Sequence, residues 1–462
     1  MGNRYLEGAF APVTEEITAF DLPVTGRVPD DLDGRYLRNG PNPLNLEDPE
    51  AHHWMMGEGM VHGVRLRDGR AEWYRNRWVR SAEVAGRLGE PHPAGLAAVA
   101  ADFAANTHVF AHAGRTLAAI EGGPPPYELD EELRTLGTCD FGGGLGTGPG
   151  TGLGEGVFTA HTKRDPVNGE LHAITYHPLW DHVRHLVVDR SGTLVRAGRI
   201  PVDGAPMMHD FALTERHVVL IDQPVTFSME AAAAGQQVPY VWNEGRGTAV
   251  GVMPREGGAT RWFGTDPCYV AHTLNAYDDG EQVILDVVRY PRMDVARHIA
   301  EPMTLERWTI DPVAGTVARR VVDDRPQEFP RVGDGVVSRP HRYGYTAVTG
   351  ELNDVVLAPV DGPLPDIAFD NAIIKHDYAT GGSELHRFGG DAATGEAVFA
   401  ARPGGVTEDD GYVLAYTHNP GRGAADLVVL SAQDFTGEPL ARIHLPGRVP
   451  LGFHGSWIAT GA

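Results

Sequence analysis

Four of the 21 histidines share a setting, each at the edge of a strand-like or turn segment among small or apolar neighbours. They are His161 in FTAHTK, His209 in MMHDF, His272 in CYVAHTLNAY and His454 in PLGFHGSW. Neutral imidazole is a common transition-metal ligand and titrates near neutral pH, so metal binding and proton transfer are the chemistries at stake. The separations of 48, 63 and 182 residues are far too long for a zinc finger or a helical pair. They suit ligands that converge on an axis from different strands or blades. Taken singly, each histidine reads as a surface group or a satisfied core group, and spacing alone does not select these four.

Other chemistries are poorly represented. The Gly-rich GGGLGTGPGTGLGEG (142–156) has no strict G-x-G-x-x-G spacing and no G-K-[ST], and it runs into the strand-like VFTAHTK. Without a helix N-terminus it offers no phosphate cradle, and it reads as a surface loop. No G-x-S-x-G, H-E-x-x-H or C-x-x-C occurs, so the common hydrolase, zincin and redox motifs are missing.

The elements that must position such residues are strands. Runs such as MVHGVRL, AEWYRNRWV, THVFAHAG, LHAITYHP, HVVLID, QVILDVVRY, LERWTID, DVVLAPV, GYVLAYTH and DLVVLSA recur, divided by hairpin chemistries such as DGR, VNGE, RSGT and EDDG. Helical periodicity is confined to short stretches, of which DEELRTLG and PRMDVARHIA are the best. Many close hairpins without alternating helices predict an all-β sandwich, barrel or propeller. The runs continue without a linker-like gap, which predicts one domain over residues 1–462.

Composition sets the class. The chain has 462 residues, 42% apolar and 22% charged, values of a globular protein. A net charge of −23 repels phosphate backbones and argues against nucleic acid as a partner. The cysteines are only Cys139 and Cys268, which fits a reducing compartment. The N-terminus lacks a signal-peptide core, and no run of 18 apolar residues occurs. The expectation is a soluble, cytoplasmic protein.

Across nearly its whole length the sequence resembles the carotenoid cleavage oxygenase family, whose members cleave carotenoids, apocarotenoids and stilbenes. The resemblance rests on GRYLRNGPNP, HWMMGEGMVHGVRLRDG, YRNRWVRS, AHTKRDPVNGELHAITY, MMHDFALTERHVVLID, CYVAHTLNAYDDG, EFPRV, HRYGY, EDDGYVL and RVPLGFHGSW, in order. It implies a seven-bladed β-propeller, capped by loops and short helices over a substrate tunnel, with one Fe(2+) on the axis. It implies that His161, His209, His272 and His454 are the metal ligands, a neutral set that leaves iron its full charge. It places carboxylates that accept the other ring N–H of several ligands at Glu121 (AAIEGG), Glu328 (EFPR) and Glu396 (GEAVF). Asp210 is expected to fix its local turn instead of binding iron. Thr107 in ANTHVFAHAG, 14 residues before Glu121, matches a threonine that in bacterial relatives projects near the iron.

The implied reaction joins O₂ to a C=C bond and yields two carbonyl products, with an alkene and O₂ as the small-molecule partners. Stilbene-cleaving members carry a lysine just before the first glutamate; here that position is Ile120, and their substrate-binding tyrosine falls at about Val84. An isoleucine cannot hydrogen-bond a phenol, which favours an apocarotenoid-type polyene over a 4-hydroxystilbene. Glu58 in GEGM replaces a common aspartate, with little consequence expected. The alternatives are a stilbene or phenylpropenoid substrate, a non-catalytic propeller that binds a lipophilic ligand, and an isomerase of the same fold. Membrane contact without integral insertion is compatible with a polyene substrate.

Overall fold

The computed structural model describes residues 3–461 except 47, 92, 94–103, 147–151, 153–154, 237, 294–302, 350–370 and 391. Within them the alternating apolar runs form strands, and the Gly- and Asp-rich dipeptides between them form hairpins. At Asp68-Gly69, for example, both residues have positive φ, of 49° and 71°, the left-handed geometry that matches the twist of paired strands. The result is seven antiparallel sheets of four to six strands plus one two-stranded ribbon, Val225–Phe227 with Tyr240–Trp242. The seven sheets are the blades of a β-propeller.

The chain ends close the ring. Strand Gly455–Ala459 pairs with Gly34–Pro41 in register Gly34↔Ala459 to Arg38↔Gly455, in a sheet continued by Gly59–Arg67, Arg70–Trp78 and Thr18–Phe20. Val24–Gly26 likewise completes the edge of the preceding blade, against Ala441–His444. The hydrophobic cores lie between neighbouring blades. Tyr36, Val64 and Tyr74 pack on Tyr412, Leu427 and Ile443, and Val219, Ile221 and Val250 on Val283, Leu285 and Trp308. Each such fully buried side chain contributes about 1.5–3 kcal/mol of transfer free energy. Apolar packing between blades is therefore a large part of what holds the ring together.

The sequence expectation of a helix at DEELRTLG is overturned. Asp130 Oδ1 accepts the backbone N–H groups of Glu132 (2.9 Å) and Arg134 (2.8 Å), and Leu133 is left-handed at φ 65°. These features make a tight turn, after which Thr135–Thr138 continues as a strand paired with Tyr127–Leu129. Most of PRMDVARHIA, all of DVVLAPV and much of the Gly-rich stretch lie outside the described residues. Among the described residues two short α-helices do occur, Ala82–Leu88 and Met229–Ala233, whose N-caps Ser81 and Ser228 accept the N–H groups of Val84 and Ala231. Among the described residues, no helix is long and apolar enough to cross a membrane. Cys139 and Cys268 are unpaired and buried in different cores.

Candidate metal centre

The innermost strands of the blades deliver the four histidines. His161 precedes Thr162–Arg164, His209 lies three residues before Ala212–Leu213, and His454 precedes Gly455–Ala459. His272 sits inside Tyr269–Asp279, whose pairing with Gln282–Tyr290 is irregular on both sides of Thr273. Such a bulge turns a side chain out of the regular alternation. The four rings converge. Ring centroids of His161 lie 4.3, 5.1 and 4.7 Å from those of His209, His272 and His454, and His272 is 5.1 and 4.9 Å from His209 and His454.

The donor chemistry fits a metal ion. Ligand atoms of His161, His209 and His272 all lie within 4.8 Å of one another, and the Nε2 atoms of His209 and His272 are 3.3 Å apart. His161 Nε2 is buried without a hydrogen-bond partner. A buried nitrogen left unsatisfied costs about 1–3 kcal/mol unless something fills its lone pair. Burial pushes the pKa of His161 and His209 well below the ordinary value, and that of His454 down as well, so these imidazoles are held neutral, the ligating form. At His272 burial acts in the same direction, but the charge and hydrogen bond of Glu328 outweigh it and the pKa is raised.

Two of the expected carboxylates orient ligands. His272 Nδ1 donates to Glu328 Oε2 at 2.6 Å, and the hydroxyl of Tyr290 donates to Glu328 Oε1 at 2.9 Å. His454 Nδ1 donates to Glu396 Oε1 at 2.9 Å, and the Gly455 N–H to Glu396 Oε2 at 2.7 Å. Burial alone would raise the pKa of Glu396, but Arg331, whose Nη1 is 3.1 Å away, and His454 hold it far below the usual carboxylate range. Glu121 stands apart. It lies 3.9 Å from His209 Nδ1 and 3.8 Å from His161 Nε2, beyond hydrogen-bond distance. Its Oε2 is taken by the Thr159 hydroxyl at 3.1 Å, its Oε1 has no partner, and burial lifts its pKa to about 8.

A cavity of about 270 Å³ opens beside the histidines, lined by Trp54, Ile120, Met207, Phe329 and Phe453 among others. Ile120 faces it as expected, and so do Thr107, Glu121 and Glu328. Thr107 is buried; its hydroxyl donates to Asn106 Oδ1 at 3.1 Å, and its carbonyl accepts the His454 N–H at 3.0 Å. The cavity's phenols are already engaged. Tyr290 bonds Glu328, Tyr176 bonds Glu121, and Tyr269 reaches Met207 Sδ at 3.6 Å. Val84 is not part of this wall; it packs with Leu44, Met60 and Trp78 beneath helix Ala82–Leu88. Glu58 is structural, accepting the Leu44 N–H at 2.7 Å and pairing with Arg87.

Sequence reasoning missed several members of the site. Arg331 lies in the quoted EFPRV and Tyr176 ends the quoted AHTKRDPVNGELHAITY, so the motifs contained them. His108, adjacent to Thr107, donates from Nδ1 to the Ala160 carbonyl (2.9 Å) with its ring 5.6 Å from that of His454, and its pKa is pushed down to about 3 by burial and by His454. Phe329 has a left-handed backbone (φ 53°) that lays its ring against His272 and His454, at 5.9 and 5.6 Å.

Comparison with known proteins places this geometry in context. Residues 10–459 match the family described as retinal pigment epithelial membrane protein. The chain is 43% identical to a carotenoid cleavage oxygenase of Mycobacterium tuberculosis, over 99% of this chain and 98% of that one. Among solved structures it resembles a lignostilbene dioxygenase of Pseudomonas brassicacearum, with a TM-score of 0.84, 28% identity and coverage of 99% and 98%. It also resembles cobalt-substituted apocarotenoid oxygenase of Synechocystis, with a TM-score of 0.82, 27% identity and 97% of each chain covered.

Proposed function

The chain belongs to the carotenoid cleavage oxygenase family, and from that membership we propose that it is an iron(II) dioxygenase that splits a C=C bond of an apolar conjugated alkene. The alkene we favour is an apocarotenoid-type polyene. One O₂ and one alkene give two carbonyl compounds, with one oxygen atom in each, so the alkene supplies all the electrons and no reductant is consumed. His161, His209, His272 and His454 would hold the iron(II), which when bound would supply the binding and activation of O₂. Glu328 and Glu396 fix the tautomer and direction of His272 and His454, so that Nε2 of each faces the centre. Thr107 and Glu121 line the approach, and the apolar walls exclude water and hold the alkene beside the histidines.

The observation that carries the substrate reading is the state of the cavity's polar groups. Tyr176, Tyr269, Tyr290 and Asn106 each have a partner within the protein, and Ile120 presents only hydrocarbon. Among the described residues, Glu121 Oε1 is the one side-chain oxygen of the cavity without a partner. A polar ligand group placed anywhere else would have to break one of these bonds, whereas a polyene segment would not. Similarity to a lignostilbene dioxygenase favours a second reading, cleavage of a stilbene or phenylpropenoid by the same chemistry. We read residues 1–462 as one domain, and the unpaired Cys139 and Cys268 as suited to the cytoplasm.

The test is incubation of iron-loaded protein and ¹⁸O₂ with a panel of apocarotenals, stilbenes and phenylpropenes, with products read by mass. Labelled carbonyl products from apocarotenals are expected, and turnover confined to hydroxystilbenes would transfer the proposal to the second reading. Iron-loaded protein with no turnover of any alkene would favour a lipophile-binding propeller. In the Ile120→Lys variant, activity on 4-hydroxystilbenes should rise; an unchanged rate would remove Ile120 from the substrate argument.

A further inference from the structure

Asp210 does far more than shape the turn after His209. Its side chain is 6% exposed as a residue and accepts hydrogen bonds from three blades. Oδ1 takes the Phe211 N–H at 2.8 Å on its own segment. Oδ2 takes the Thr273 N–H at 2.8 Å and lies 2.9 Å from the Thr273 hydroxyl. The ammonium of Lys163 reaches Oδ1 at 2.9 Å and Oδ2 at 3.1 Å. These partners are not scattered. Phe211 is two residues after His209, Thr273 is one after His272, and Lys163 is two after His161.

The backbone explains why a carboxylate is needed there. The pairing of Tyr269–Asp279 with its neighbour is irregular on both sides of Thr273, which is the distortion that aims His272 at the axis. A bulge leaves a ladder N–H without its regular partner, and Asp210 receives it. A carboxylate, an acceptor at both oxygens, can take the peptide N–H groups and the ammonium together. Lys163 and Lys375 are the only lysines in a chain otherwise dependent on arginine, and Lys375 also bonds an aspartate, Asp409, at 2.8 Å. At position 163 a compact point charge fits between the strands without the planar fork of a guanidinium.

We propose that Asp210 is a positioning residue for the metal centre: its carboxylate clasps the three inner strands that carry His161, His209 and His272, and so sets the angle at which their rings meet. Glu396 provides the parallel at the fourth ligand. It bonds the His454 ring and the Gly455 N–H and is itself held by Arg331. His209 has no carboxylate within hydrogen-bond distance of its ring among the contacts described, Glu121 being 3.9 Å away, so the clasp on its backbone substitutes for one on its ring. This inference rests on the four-histidine iron reading.

The test compares wild type with Asp210→Asn, Lys163→Met and Thr273→Val. Three quantities are read: iron(II) affinity by anaerobic titration, the electron paramagnetic resonance spectrum of the nitric oxide adduct, and metal-free crystal structures. Asp210→Asn should weaken iron(II) binding about 10–100-fold, change the rhombicity of the spectrum, and lower kcat with KM for the alkene little altered. Lys163→Met and Thr273→Val should move affinity and spectrum in the same direction by less, and they carry the test if Asp210→Asn does not fold. Unchanged affinity and spectrum in all soluble variants would overturn the clasp, as would a loss confined to thermal stability. If wild type itself takes up no iron(II), the iron reading fails, and the metal-free structures still decide the clasp. They should show His209 and His272 reoriented in Asp210→Asn, and superimposable rings would refute it.

Discussion

At the scale of single residues, His272 and His454 owe their direction to carboxylates brought from elsewhere in the chain, 56 and 58 residues away in sequence. Because Glu328 is fully buried and bonds His272, Tyr290 and the Phe329 N–H, its loss would leave three donors unsatisfied. Glu328→Ala should therefore weaken iron(II) affinity about 10–100-fold in an anaerobic titration. Glu121→Ala should cost distinctly less, since no ligand lies within hydrogen-bond distance of that carboxylate. Equal losses would show that Glu121 closes on His209 when metal binds. The histidines and the three glutamates were legible because each lies in a motif of several residues. The offset of Glu121 was not, since its Oε2 is taken by the Thr159 hydroxyl, a partner 38 residues away. The reach of Asp210 was equally hidden, because nothing in MMHDF announces a bond to Thr273 across two blades.

At the scale of elements, the site is built from distortions of regular strands. The bulge at Thr273, the irregular register between Glu328 and Arg331, and the left-handed Phe329 all adjoin ligand or partner residues. Gly455 belongs to this set through close approach. A Cβ there would stand 2.2 Å from the Leu37 carbonyl oxygen and 3.1 Å from Arg38 Cα, both backbone atoms of the strand that closes the ring. Gly455→Ala should destabilise the fold by about 1–3 kcal/mol in urea unfolding and loosen the Glu396 bond next to His454. A variant of wild-type stability would mean that the closing strands slide apart easily. Regular strands and hairpins were readable from alternation and turn dipeptides, whereas the turn at Asp130–Leu133 was mistaken for a helix. Its charged and leucine residues fit a helical period, but Asp130 spends its carboxylate on two local N–H groups instead.

At the scale of the whole molecule, the propeller buries many imidazoles outside the ligand set. Burial, with neighbouring positive groups, pushes His108 and His185 down to about 3, His172 to about 2 and His376 to about 4. Above the unfolded value of 6.5 both states are neutral and the full stability is present. As pH falls below it, the unfolded chain binds protons that the fold refuses, so stability declines until the folded values are reached. Each group costs about 1.4 kcal/mol per pH unit over that window. The metal-free protein should therefore lose urea resistance steeply between pH 6.5 and 5, although relief of the −23 charge acts weakly in the opposite sense. A flat profile would show that these rings are protonated in the fold.

The most direct test of the account is an anomalous-difference map at the iron edge from crystals of the iron-loaded protein. The account predicts one peak on the propeller axis, ligated by Nε2 of His161, His209, His272 and His454 with no carboxylate in contact. A peak bound by only some of these imidazoles, by Glu121 or Asp210, or at another place in the molecule would contradict it.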